Sequence, residues 1–200
     1  LAAKQIDESL LRMQVEYVDL AQFHEVVYPH DPDMIFGEDG AAEAMSEAVR
    51  SGKVRHAGFT GHKDPFIHLR MLEIAKERGF EIETVQMPLN VMDAHFRSFE
   101  RQVLPVLLEE NIGAIGMKSL AGGQILESKV VSAIECIQYV LNLPVSTLVC
   151  GIDNMDMLKQ ALHAVKIFEF WDDQRRQEIL GRTRDLAGRG KFEPFKTSAR

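Results

Sequence analysis

Two hundred residues, 46% of them hydrophobic, 26% charged and 8% aromatic, suit one globular domain or a large piece of one. Thirty acidic against twenty-three basic side chains leave a formal charge of −7, the wrong sign for displacing counterions from a nucleic-acid backbone. No apolar run approaches the ~20 residues that cross a bilayer, no signal-peptide pattern opens the chain, and Cys136 and Cys150 supply neither a disulfide framework nor a metal ligand set, so a cytoplasmic protein with no nucleic-acid or membrane partner is expected.

The chain alternates helical and β-rich stretches. Residues 2–13 read as a helix feeding a first strand at Tyr17-Val18-Asp19-Leu20-Ala21-Gln22-Phe23. A helix over 41–49 stops at Gly52 and precedes a second strand, Val54-Arg55-His56-Ala57-Gly58-Phe59. Residues 64–79 repeat Phe66, Leu69, Ile74 and Ala75 at helical steps, with Asp64 as N-cap, Pro65 at the first position and Gly79 at the end. The third strand is Glu83-Thr84-Val85-Gln86-Met87, and Phe99, Val103, Val106 and Leu107 form the next stripe, which Pro105 bends or restarts. Ala114-Ile115-Gly116-Met117 is the fourth strand. A helix over 128–143, capped by Ser128 and stopped by Pro144, leads to the fifth, Val145-Ser146-Thr147-Leu148-Val149-Cys150. Helices over 154–168 and 172–186 follow, and residues 188–200 have the composition of a tail.

Strands recurring at about thirty residues, each followed by a helix, imply parallel βα units. They can close as a barrel or lie open as a doubly wound sheet, and periodicity does not separate the two. Five units cannot close an eight-stranded ring, and the chain opens on a helix, so a fragment with unpaired strand edges is expected. The domain reading is a barrel portion over 1–187 and a tail over 188–200.

In such folds chemistry gathers beyond the carboxyl ends of strands. His24 stands after the first strand, where an imidazole can donate a hydrogen bond to a carbonyl oxygen; a satisfied, half-buried histidine is the bland alternative. Thr60, Gly61 and His62 follow the second strand, Gln86 lies in the third with Asn90 after it, and Lys118 to Gly123 follow the fourth. Lys118 with Gly122-Gly123 can receive a phosphate or form an ordinary turn. Gly151, Asp153 and Asn154 open a helix, as an anion site or simple N-caps. Asp19 reads as structural, capping or pairing with Arg or Lys at the strand's start. His30, Asp31 and Asp33 do not share a spacing that converges on a metal, and no metal is expected. Cys136 and Cys150 read as packing residues.

Together these segments resemble the aldo/keto reductase family, in order and over essentially the whole chain. Glu8-Ser9-Leu10-Leu11-Arg12-Met13-Gln14-Val15-Glu16-Tyr17-Val18-Asp19-Leu20 with Gln22 and His24 is similar to the family's approach to its fourth barrel strand. Gly52-Lys53-Val54-Arg55-His56-Ala57-Gly58-Phe59-Thr60 is similar to the fifth, Val85-Gln86 with Asn90 to the sixth, residues 112–123 to the seventh, and 145–162 to the eighth strand and cofactor helix. Lys191-Phe192-Glu193-Pro194-Phe195-Lys196-Thr197 resembles a tail of one bacterial branch.

The resemblance implies a TIM-type (β/α)8 barrel, incomplete here, with about five βα units and a C-terminal helix. It implies an NADP- or NAD-dependent oxidoreductase that passes hydride between the nicotinamide and an aldehyde, ketone or alcohol. His24 would orient the substrate carbonyl, Thr60 and Gln86 meet the nicotinamide carboxamide, and Met117 lie where an aromatic often stacks. Lys118 and Leu120 would line the pyrophosphate channel, and Gly151, Asp153 and Asn154 the adenosine end. The family's tyrosine proton donor and its aspartate and lysine partners belong to the first three strands, so this chain alone is expected to be inactive. Gly61 replaces the carboxamide-binding asparagine, and Asp153 would oppose a 2′-phosphate, which implies tolerance of NAD. A non-catalytic dinucleotide-binding or regulatory module on the same scaffold is the alternative, and a metal-dependent lyase or isomerase ranks behind both.

Overall fold

A computed structural model describes residues 1–198. The chain groups into two compact units, Leu1–Gln86 and Met87–Arg200. Five strands, β1 (Val18–Phe23), β2 (Val54–Thr60), β3 (Thr84–Pro88), β4 (Gly113–Met117) and β5 (Thr147–Leu148), follow one another in sheet order β1-β2-β3-β4-β5, as βα repeats require. The unit boundary falls inside β3.

The first unit holds α1 (Ala2–Met13), α2 (Asp31–Ile35), α3 (Ala41–Arg50) and α4 (Pro65–Glu77). β1 and β2 run parallel from the pair Val18 and Val54 to the pair Phe23 and Phe59, and β2 continues onto β3 through Thr60 and Gln86. α4 begins where expected: the Asp64 carboxylate accepts from the Phe66 N–H at 2.9 Å, and Pro65 occupies the first turn, where no N–H is needed. The rings of Phe23, Phe36 and Phe80 pack mutually with centroids 5.5–6.4 Å apart, and Phe59, Met71 and Val85 are buried in the same unit. Asp19 pairs with Arg55 at 2.6 Å on the exposed face, the structural role read from sequence.

In the second unit the stripe from Phe99 is broken as Pro105 requires, into α5 (Phe99–Gln102) and α6 (Leu104–Glu109). α7 (Ala133–Leu141), α8 (Met155–Lys166), α9 (Asp173–Thr183) and α10 (Pro194–Thr197) follow. The expected cap at Ser128 is corrected. Residues Ala121–Ser128 form a 3-10 stretch in which the Ser128 hydroxyl donates back to the Ile125 carbonyl at 2.6 Å. α7 starts instead at Ser132, whose hydroxyl accepts from Glu135 N–H (3.2 Å) while the Glu135 carboxylate accepts from Ser132 N–H (2.8 Å). That reciprocal box satisfies two otherwise orphaned donors, which Ser128 cannot.

β5 is shorter than the apolar run 145–150, yet Ser146 N–H donates to Ala114 O and Val149 N–H to Gly116 O, both at 2.8 Å, extending the parallel spacing at each end. The segment from Gly188, tail-like in composition, is ordered within this unit as a 3-10 turn (Gly188–Gly190) and α10, with Phe192, Glu193 and Lys196 buried. Residues 199–200 of that segment lie outside the described residues.

Candidate functional site

In the first unit the strand tips are laced together in order. Glu25, in the left-handed region at φ +68°, donates its N–H to the Thr60 hydroxyl at 3.4 Å, and Val26 N–H donates to the Thr60 carbonyl at 2.8 Å. Gly61 N–H then donates to the Gln86 carbonyl at 3.2 Å. These bonds place His24, Thr60 and Gln86 on three adjacent tips. Thr60 is buried and Gln86 half-buried, whereas His24 is exposed, which corrects the half-buried alternative for it. His24 lines two cavities, one of about 610 Å³ shared with Leu10, Leu20, Gln22 and Met45, the other of about 390 Å³ shared with Glu25, Tyr28 and Asp31.

Gly61 has a local explanation. A Cβ there would clash with the Val26 carbonyl and lie 2.6 Å from Cε1 of His68. His68 is fully buried against Phe59, ring centroids 5.0 Å apart, and hydrogen bonds involving the backbone of Gln86, Asp64 and Gly61 surround it. Burial pushes its pKa down to about 3, so the ring is neutral at physiological pH. The imidazole occupies the space that a larger residue at position 61 would claim.

In the second unit the Met117 carbonyl, at the tip of β4, accepts from Leu89 N–H at 3.0 Å. Lys118 adopts φ +58°, unusual for a residue with a side chain, and its carbonyl accepts from Ala121 N–H (2.9 Å) and Asn90 Nδ2 (3.3 Å). Its ammonium lies 5.8 Å from the centre of the Phe195 ring. Leu120 is half-buried, and its carbonyl accepts from Gly123 N–H at 2.9 Å. Gly122 and Gly123 have φ of +68° and +93°, and a Cβ on either would meet nothing within 4 Å, so the turn needs glycine for its backbone angles. Gly151, Asp153 and Asn154 are exposed ahead of α8, and the Asn154 side-chain oxygen is committed to the cap, accepting from Asp156 N–H and Met157 N–H at 3.0 and 2.9 Å.

Other polar residues have structural work. The Asp31 carboxylate accepts from Val27 and Tyr28 N–H, both at 2.7 Å, and Asp33 lies 3.4 Å from Arg70. Among the described residues no group of three or more His, Cys, Asp or Glu side chains converges to hold a metal ion. Burial raises the Cys136 thiol to about 12 and also raises Cys150, which disfavours the reactive thiolate in both. Tyr139 donates its hydroxyl to Glu100 at 2.6 Å, and burial raises its pKa; Tyr17 lies under the Arg55 guanidinium at 4.0 Å. The sequence singled out Asn90 at a strand end and residues 191–197 as a family-like tail, but gave no sign of the buried group that Asn90, Glu193 and Lys196 form with Asp93. A glutamate and lysine three residues apart in a polar, Pro-containing stretch look like solvated surface, and nothing local signals the distant Asp93.

The family model described as "Aldo/keto reductase family" matches residues 2–135. The likeness read over essentially the whole chain is thereby narrowed: stretches 145–162 and 191–197 lie beyond that match. The chain is 28% identical over 120 residues to "Uncharacterized oxidoreductase YrpG" of Bacillus subtilis, covering 60% of this chain and 34% of that protein. It is 28% identical over 133 residues to "Protein tas" of Escherichia coli, covering 59% and 36%. It therefore spans about a third of these relatives' own length. In fold it is similar to the solved holo form of aldo-keto reductase AKR11C1 from Bacillus halodurans, with a TM-score of 0.67, 18% identity and coverage of 90% of this chain and 66% of that one. No helix among the described residues is long and apolar enough to cross a membrane.

Proposed function

The chain belongs to the aldo/keto reductase family, and from that premise we propose that it forms the carboxyl-terminal part of an NAD(P)-dependent oxidoreductase, from the helix before the fourth barrel strand onward. The substrate class is a small aldehyde, ketone or alcohol. The observation that carries this reading is the lacing of His24, Thr60 and Gln86 onto neighbouring strand tips of the first unit.

Each unit, taken by itself, carries groups of the kind that a nicotinamide dinucleotide would use. A carboxamide presents one acceptor and two donors, and a threonine hydroxyl beside a glutamine amide can answer both. Thr60 has already accepted from Glu25, and its hydroxyl hydrogen is left to donate. The exposed Lys118 ammonium on its left-handed turn suits a phosphate, and half-buried Met117 and Leu120 are its apolar neighbours in sequence. Position 61 makes no such contribution, since His68 fills the space beside it. At the adenosine end Gly151, Asp153 and Asn154 carry an exposed carboxylate that repels a 2′-phosphate and can accept from a free ribose hydroxyl.

When bound, the dinucleotide supplies or accepts hydride. The chain's own contribution is to orient: the His24 imidazole, exposed into its cavities, donates a hydrogen bond to the substrate oxygen, where negative charge develops as hydride arrives. The oxygen must also receive a proton. Tyr139 is tied to Glu100, Tyr17 lies under Arg55 and Tyr28 stacks on His30, so none of the three is assigned as donor. The second reading is a dinucleotide-binding module without catalysis on the same scaffold. Aldehyde-dependent oxidation of NADPH by the full-length protein separates the two: turnover supports the reductase, and saturable binding without turnover supports the module.

A further inference from the structure

The second unit buries three charged side chains together. The Lys196 ammonium lies 2.6 Å from Asp93 Oδ1, 3.1 Å from Glu193 Oε2 and 2.8 Å from the Phe96 carbonyl, and all three charged residues are 0% exposed. Asp93 is held further by N–H groups of Phe99 (3.1 Å) and Glu100 (3.0 Å) and by the Ser98 hydroxyl (3.3 Å). The other Glu193 oxygen accepts from Asn90 Nδ2 at 3.0 Å, and the same nitrogen donates to the Lys118 carbonyl at 3.3 Å. The Asn90 oxygen accepts from the N–H groups of Met92 and Asp93, both at 2.8 Å. With two donations and two acceptances, the Asn90 amide has every hydrogen-bonding position used and one orientation.

The consequence reaches Lys118. A side-chain-bearing residue at φ +58° persists when its surroundings fix it, and here the fixing bonds come from Ala121 and from Asn90. The segment that supplies Glu193 also supplies Phe195, whose ring lies beside the Lys118 ammonium. The C-terminal segment thus touches Lys118 at its ammonium and, through one intervening side chain, at its carbonyl.

We propose that Glu193 is a positioning residue for Lys118: by orienting Asn90 it holds the turn from which the Lys118 ammonium meets a phosphate. Lys196 keeps Glu193 in place and balances part of the buried charge. The link to phosphate rests on the role given to Lys118 above. The link from Glu193 to the turn does not.

Two readouts in the full-length protein keep these apart. Exchange of the Ala121 amide hydrogen, which is bonded to the Lys118 carbonyl, reports the turn directly. Glu193→Met keeps volume and removes the acceptor, and should speed that exchange by about tenfold, the equivalent of one buried hydrogen bond. Glu193→Gln keeps an acceptor oxygen and should restore protection, while the Phe59 amide of the first unit exchanges alike in all three proteins. NADPH titrated by fluorescence should bind about tenfold more weakly to Glu193→Met than to Glu193→Gln. Should Glu193→Met not fold, Glu193→Ala takes its place.

Unchanged Ala121 exchange in the acceptor-less variant overturns the proposal, as does equal loosening in Glu193→Gln or a loss of protection spread over both units. Loosened exchange with unchanged NADPH affinity overturns its link to phosphate. Failure of the wild-type protein to bind NADPH defeats the cofactor reading alone, and Ala121 exchange still decides the role of Glu193.

Discussion

Gly61 and His68 share one small volume: a side chain on the glycine would stand 2.6 Å from the imidazole Cε1. Gly61→Ala should therefore destabilise the fold by about 1–3 kcal/mol, the usual cost of forcing an atom into a packed interior. Adding His68→Ala should recover part of that loss and not all, because the Val26 carbonyl also crowds the site. Thermal unfolding of the single and double variants checks the coupling; strictly additive losses would contradict it.

The same histidine gives the first unit an acid-sensitive step. Its pKa in the folded chain is about 3, against an ordinary value of 6.5, so the unfolded chain binds the proton more readily. Its contribution to stability is complete above pH 6.5 and is lost as pH falls towards 3. His68→Gln should flatten that limb of the stability curve measured by urea unfolding. A limb of unchanged slope would show that other groups carry it.

Asp93 acts with the opposite sign. Burial raises its carboxyl from 3.8 to about 7, with Glu193 opposing ionisation and Lys196 favouring it. The folded state holds this proton longer than the unfolded state, so the contribution is greatest at low pH and declines as pH climbs from about 4 to about 7. The surrounding polar groups are Ser98 and the N–H groups of Phe99 and Glu100, while Arg97 bonds to the Lys196 carbonyl at 3.2 Å. Carbon-13 labelling of the aspartate carboxyls should reveal one group titrating near neutrality. A spectrum in which every aspartate titrates below pH 5 would refute this.

Much of the scaffold was legible because local rules agreed with tertiary ones. Asp64 followed by Pro65 announced α4, and Pro105 announced the break between α5 and α6. The site residues of the first unit could be ranked because they sit at equivalent strand ends. What stayed hidden depended on partners far along the chain. Ser128 and Ser132 are equally good caps by residue type, and the structure chooses Ser132 because Glu135 completes the box. Lys196 finds Asp93, and Glu193 finds Asn90, about a hundred residues away, pairings that no hydrophobic period encodes. Gly61 looked like a lost cofactor contact, and its steric reason appeared only once His68 was placed beside it.

The α7 cap offers a simple check. Ser132→Ala removes the hydroxyl that accepts from Glu135 N–H and should cost about 1 kcal/mol. Ser128→Ala, outside the helix, should cost less in the same chemical denaturation series. The reverse ranking would place the helix start at Ser128 after all.

Asp153 sets an expectation for cofactor choice. An exposed carboxylate ahead of α8 disfavours a 2′-phosphate, so the full-length protein should bind NADH within about tenfold of NADPH, and Asp153→Ser should shift the ratio towards NADPH. Fluorescence titration of both cofactors measures this, and a strong native preference for NADPH contradicts it.

His24 offers the most direct test of the proposed chemistry. In the full-length protein, His24→Ala should leave the NADPH dissociation constant within about twofold while aldehyde-dependent turnover falls by about 10²–10⁴, the range for losing a positioned acid–base or hydrogen-bonding group. Turnover that survives the substitution, or cofactor binding that disappears along with it, would contradict a substrate-orienting role for this histidine.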